Sequence, residues 1–223
     1  MALILSIETA TTNCSVSLSD NGKAFALKDD YSSSFSHAER LHIYIDALLK
    51  DNKIQPYQID AIAVSKGPGS YTGLRIGVSA AKGLCFALNK PLISIPTLTS
   101  LSHQVKTEKG KIIAMLDARR LEVYSAVFDN KYDQIRDTQA EIIDANSFSM
   151  FLDTGKVFFI GTGVEKTKEI ITHSNAIFIE DKLPSANEMG ELAHQKFNAG
   201  EFEDVAYFEP YYLKDFVAIK PKN

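Results

Sequence analysis

Short apolar runs and longer stretches with helical spacing alternate along the whole chain. Residues 2–7, ALILSI, read as a buried first strand, and Cys14–Leu18 alternate as a strand returning beside it. Between them lies the polar turn Glu8–Asn13. Asp20-Asn21-Gly22-Lys23 supplies a hairpin turn before a third strand at Ala24–Leu27. The segment His37–Asp51 has helical periodicity, with Leu41, Ile45 and Leu48 on one face and Ser34 or Ser36 as cap. A connection containing Pro56 leads to the buried strand Ala61–Val64. The glycine-rich turn Gly67-Pro68-Gly69-Ser70-Tyr71-Thr72-Gly73 follows, and a helix is expected over Tyr71–Leu88.

That helix has two apolar faces. Leu74, Val78, Ala81, Cys85 and Leu88 form one, and the smaller Ile76, Ala80, Gly83 and Ala87 form the other. One face is expected to pack on the chain's own sheet and the second on something else. Glycine in a helix interior costs about 1 kcal/mol against alanine, so Gly77 and Gly83 imply close packing. A strand at Leu92–Ile95 comes next, then a helix from Pro96 with Thr97 as its cap.

The order then starts again. Lys111–Leu116 read as a second buried first strand, Asp117–Arg120 as a polar turn, Glu122–Phe128 as a returning strand and Asp129–Lys131 as a hairpin turn. A helix near Asn146–Leu152, strands at Val157–Ile160 and Ala176–Ile179, and a helix over Ser185–Ala199 complete the pattern. The repeat predicts a duplicated α/β fold with mixed sheets, divided into residues 1–104 and 105–223, the last segment packing back on the first.

Composition bounds the function. The 223 residues are 45% hydrophobic and 23% charged, as in a globular protein with a real core. Net charge is −4 and the pI 5.8. No dense Lys/Arg stripe is present, so the chain alone is poorly suited to gripping RNA or DNA. Cys14 and Cys85 sit in apolar patterns, and neither a signal peptide nor a membrane-spanning run is evident. A cytoplasmic protein is expected.

Residues Ile4–Thr11 with Cys14-Ser15-Val16 resemble the opening of the TsaB (YeaZ) family. Residues 67–75, GPGSYTGLR, with Gly77 and Ala81-Lys82-Gly83-Leu84, match that family's most specific segment. Leu116–Arg120, Glu122-Val123-Tyr124 and Pro210-Tyr211-Tyr212-Leu213 follow in order. The resemblance implies the duplicated ribonuclease H-like fold of actin, Hsp70 and the sugar kinases (ASKHA). It implies a part in making N6-threonylcarbamoyladenosine at position 37 of tRNA. The family partners TsaD, a homologous catalytic subunit, and TsaE, an ATPase, and is itself regarded as a silent, activating subunit. ATP or ADP is then used by the complex and not bound by this chain alone, and tRNA is met only through the complex. Glu8 departs from the more usual aspartate, which slightly weakens any metal–phosphate role for the first turn.

The candidate chemistry points the same way. Glu8, Thr9 and Asp117 are the candidates for a nucleotide site between the halves, yet neither polar turn carries the glycine that close backbone approach to phosphate favours. Gly161-Thr162-Gly163 is read chiefly as a strand-end turn. His37 and His42 are five residues apart, which turns the imidazoles ~140° from each other on a helix, so they cannot readily share a metal ion. Ser70 lacks the Gly-x-Ser-x-Gly context of a nucleophile elbow. The leading expectation is an interaction subunit whose two helices serve both a homodimer and a heterodimer, through Leu41, Ile45, Tyr71, Leu74, Arg75, Val78 and Gly83. The alternatives are an autonomous ATP-dependent kinase or hydrolase with its site between the halves, and a small-molecule binding module.

Overall fold

The computed structural model describes residues 2–31 and 37–214. The first half contributes strands β1 (Leu3–Glu8), β2 (Cys14–Asp20), β3 (Lys23–Asp30), β4 (Ala61–Gly67) and β5 (Leu92–Pro96), with helices α1 (His37–Asp51), α2 (Tyr71–Leu88) and α3 (Thr97–Ser102). The second contributes β6 (Lys111–Asp117), β7 (Glu122–Phe128), β8 (Gln134–Ile142), β9 (Val157–Ile160) and β10 (Ala176–Ile179), with α4 (Ser149–Leu152) and α5 (Val164–Ile170). Helix α6 (Met189–Ala199) closes the series.

Both sheets repeat one topology. The order is β3-β2-β1-β4-β5 in the first and β8-β7-β6-β9-β10 in the second. In each, the first three strands form an antiparallel meander and the last two run parallel to the first. This is the duplicated ribonuclease H-like architecture. Parallel pairing needs a crossover, which α1 supplies between β3 and β4, and α2 between β4 and β5.

Local chemistry sets the boundaries. Asn21 and Gly22 take φ of 48° and 84°, as a two-residue hairpin turn requires. Ser70 caps α2 by accepting the Gly73 N–H at 3.2 Å, and Asn89 ends it in the left-handed region at φ 54°.

Four apolar clusters follow from the alternation of side chains across the strands. Leu5, Ile7, Val16, Leu18, Ile62 and Val64 lie on the outer face of the first sheet, under α1 and α2. Ile4, Ala61, Ala63, Ile93 and Ile95 lie on its inner face and meet Met189 and Ala193 of α6. Thus the last helix crosses back to the first sheet. Leu98 and Leu101 of α3 cover the inner face of the second sheet, against Ile112, Ala114 and Phe128. Phe148, Phe151, Leu152 and Val164 cover its outer face.

Several local expectations change. Thr97 is not a cap: Pro96 occupies that position, and the Thr97 hydroxyl is buried without a partner. Helix α6 starts at Met189, after a 3-10 turn at Ala186–Glu188. Strand β8 follows the hairpin turn at Asp129–Lys131 and helix α5 is an additional element; β8 exposes Ile135 and Ile142, and α5 buries only Val164 and Thr167. The candidate caps Ser34 and Ser36 lie outside the described residues.

Candidate interaction surface and the cleft turns

The residues expected at a cleft site are engaged within the fold. Glu8, at the end of β1, is 0% exposed. Its Oε1 accepts the Ala10 N–H at 2.6 Å and the Ser65 hydroxyl at 2.8 Å, while Oε2 is buried without a partner. Burial pushes the Glu8 carboxyl up to about 7, against the lowering effect of those hydrogen bonds. Thr9 is equally buried, and its hydroxyl donates to the Gly73 carbonyl at 2.8 Å.

These contacts explain the glycine-rich segment. A Cβ at Gly69 would stand 2.5 Å from the Ala10 carbonyl oxygen, at Gly73 2.1 Å from that of Thr9, and at Gly77 2.2 Å from Thr9 Oγ1. Real Cβ atoms do not approach so closely, so glycine is the residue that lets α2 seat on the 8–13 turn. The Ser70 N–H also donates to the Ala10 carbonyl at 2.7 Å. The segment clamps the 8–13 turn. His37 joins the same lock from α1, its Nε2 donating to the Thr11 carbonyl at 2.7 Å, whereas His42 points outward.

The second turn differs. Asp117 is exposed, accepts the Arg119 N–H at 2.6 Å and pairs with Lys166 at 2.7 Å. Lys166 Nζ also donates to the Arg120 and Glu122 carbonyls, so the ammonium has three acceptors. Gly161 has φ of 111°, and a Cβ there would lie 2.2 Å from the Met115 carbonyl oxygen, so its role is backbone packing. A hollow of about 550 Å³ lies beside it, bounded by Tyr31, Thr162 and Lys168. Among the described residues no group of three His, Cys, Asp or Glu side chains is placed to hold a metal ion.

The helices divide the expected interface residues into two sets. Leu41, Ile45, Leu74 and Val78 are 0%, 4%, 1% and 4% exposed, within the chain's own core. Each such burial contributes roughly 1.5–3 kcal/mol to folding, and none of the four presents a surface. Their placement at an interface is therefore corrected. Tyr71, Arg75 and Gly83 do face outward, and they line a shallow groove of about 770 Å³ between α1 and α2. Sequence reasoning had not assigned the rest of its wall: Ala38 and His42 of α1, and Thr72, Ile76, Ser79, Ala80 and Leu84 of α2. The signal was present in the second apolar face of α2. Ile76, Ala80 and Gly83 of that face line the groove, and a Cβ on Gly83 would meet nothing within 4 Å.

Beyond α6, the tail runs back along α2. The Glu203 N–H donates to the Leu92 carbonyl, Lys82 Nζ donates to the carbonyls of Ala206 and Phe208, and the Tyr211 N–H donates to that of Lys66 at 2.7 Å. Tyr212 then rests on Tyr71. Among the described residues no helix is long and apolar enough to cross a membrane.

Comparison with known proteins agrees with this geometry. The family model described as TsaD, tRNA N6-adenosine threonylcarbamoyltransferase, matches residues 32–222. The tRNA threonylcarbamoyladenosine biosynthesis protein TsaB of Escherichia coli is 30% identical over 97% of this chain and 96% of its own. That of Haemophilus influenzae is 30% identical over 97% and 95%. The solved structure of YeaZ from Pseudomonas aeruginosa superposes with a TM-score of 0.82 at 27% identity, over 96% of this chain and all of that one. With relatives about 30% identical matched almost end to end, the chain belongs to the TsaB (YeaZ) family of tRNA threonylcarbamoyladenosine biosynthesis proteins.

Proposed function

We propose that this chain is a non-catalytic activating subunit of the assembly that makes N6-threonylcarbamoyladenosine at position 37 of tRNA. It pairs with the catalytic TsaD homologue through the outward faces of α1 and α2, and the TsaE ATPase joins the pair. The observation that carries this reading is a contrast. Glu8 and Thr9 are sealed inside the fold, Glu8 on the Ala10 N–H and the Ser65 hydroxyl and Thr9 against Gly73 and Gly77 of α2, while the groove on the other side of that helix is open. Enclosed in this way, the Glu8 carboxyl presents no surface to a nucleotide lying between the halves. Because partners of the same fold can offer matching helices, one surface serves a homodimer and the heterodimer in turn. Nucleotide is used by the complex, and tRNA reaches this chain only through it, in keeping with a net charge of −4.

The rival reading, an autonomous ATP-dependent kinase or hydrolase, requires steady ATP turnover by the isolated chain, lost on Glu8→Ala or Asp117→Ala. The test is reconstitution with purified TsaD-type and TsaE-type subunits. We expect no turnover by the chain alone, a stable heterodimer, and tRNA modification only when this chain is added. Modification without it, or turnover by it alone above a no-protein blank, would overturn the reading.

A further inference from the structure

The tail ends against the helix that lines the groove. Tyr212 places its ring 5.0 Å from that of Tyr71, the first residue of α2, at an interplanar angle of 38°. Tyr71 in turn organises Arg75 one turn on: an Arg75 Nη donates to the Tyr71 hydroxyl at 2.8 Å, and the guanidinium carbon lies 5.2 Å from the ring centre. Tyr71 and Arg75 line the groove, and Tyr212 does not.

Tyr212 is held from both sides. Before it, the Tyr211 N–H is bonded to the Lys66 carbonyl, and Gly67, at φ 109°, leaves room for the Tyr211 carbonyl oxygen, which a Cβ there would meet at 2.8 Å. After it, Lys214 pairs with Glu122 and lies 5.8 Å from the ring centre of Tyr124, both on β7 of the second half. The strap thereby ties the second sheet, the glycine turn and the start of α2 together at one aromatic contact.

We propose that Tyr212 is a positioning residue for the interaction surface: it fixes Tyr71, and through it Arg75, in the orientation a partner subunit meets. This rests on the reading that the α1–α2 groove is where the partner binds. Arginine and tyrosine are the side chains that most often dominate binding at such surfaces, and both have several rotamers to lose on association. Ordering them beforehand lowers that loss, so the effect belongs to affinity and not to folding.

The test measures association of the full-length chain with the TsaD-type subunit by titration calorimetry, alongside the thermal unfolding midpoint. Tyr212→Leu fills similar space without an aromatic face, which keeps the strap covered. We expect it to weaken association about five- to tenfold with the midpoint unchanged, and Tyr212→Phe to retain full affinity. In a Tyr71→Ala background, Tyr212→Leu should have no further effect. Gly83→Arg, which fills the groove without touching the strap, separates the two ideas. If Gly83→Arg abolishes association while Tyr212→Leu leaves it unchanged, the positioning role is overturned and the groove stands. If Tyr212→Leu weakens binding equally with Tyr71 absent, Tyr212 meets the partner itself and the positioning role is again overturned. If Gly83→Arg has no effect, the groove reading fails and the proposal fails with it.

Discussion

The two halves share a strand order and differ in what covers it. Over the outer face of the first sheet lie α1 and α2, of 15 and 18 residues; over the second lie α4 and α5, of 4 and 7. Their first turns differ as well. In the first half the turn is buried and clamped by glycines across the chain, and in the second it is exposed and closed by a lysine ion pair. A duplicated fold brings two such turns toward one cleft; here the first is held by the glycine segment and by the Asn13 amide donating to the Pro184 carbonyl at 2.9 Å, and the second by Lys166. The long helices of the first half are left with an outward groove. On the proposed function, the frame of the fold is kept and the surface in use is the outside of one half.

The sharpest way to break the comparison is to fill the clamp. Gly73→Ala puts a methyl 2.1 Å from the Thr9 carbonyl oxygen, a backbone atom that cannot rotate away. It should cost about 3 kcal/mol or more, read from denaturant midpoints. A loss below 1 kcal/mol would mean that the turn and helix are not locked together.

Next comes the charge behind the clamp. The folded value of about 7 for Glu8 lies above the ordinary 4.5, so folding holds a proton between those pH values. The stabilisation is fully present below about pH 4.5 and is lost as pH rises through 7. Over that window stability should fall by roughly 3 kcal/mol on account of this group. Glu8→Gln, neutral throughout, should flatten that part of the stability–pH profile and be the more stable form at pH 8. An unchanged slope would place the ionisation elsewhere.

The corresponding change in the second half should be small. Asp117 is half exposed in its pair with Lys166, so Asp117→Ala should alter stability by less than about 1 kcal/mol. A loss comparable to that at Gly73 would erase the distinction between the turns. Smallest of all, Gly83→Ala meets open space in a helix and should stabilise by up to about 1 kcal/mol.

Much of this frame was legible in the pattern of residues. The strands of the first half, the hairpin at Asn21-Gly22 and both long helices follow from period and turn chemistry alone. The choice of outward face on α2 did not. Leu74 and Val78 have the larger, more uniform apolar face and therefore belong to the sheet; the smaller Ile76, Ala80 and Gly83 remain for the groove. Periodicity finds two faces but does not say which one the fold covers. Thr9 and Gly73 are 64 residues apart, so their contact is invisible until the chain is folded. The bounds of β8 are not legible because QIRDTQAEI sets polar residues along an exposed edge, and edge strands have little apolar alternation to read.

On the proposed function, the partner meets the first half's helices and not the second's. Gly83 lies on the groove of α2, and Met150, 69% exposed on α4, is its counterpart on the outer side of the second half. Sedimentation velocity on equimolar mixtures with the TsaD-type subunit compares Gly83→Arg with Met150→Arg, each first shown to be folded by circular dichroism. Gly83→Arg should leave two separate species and Met150→Arg a single heterodimer; the opposite pairing would put the contact on the second half instead.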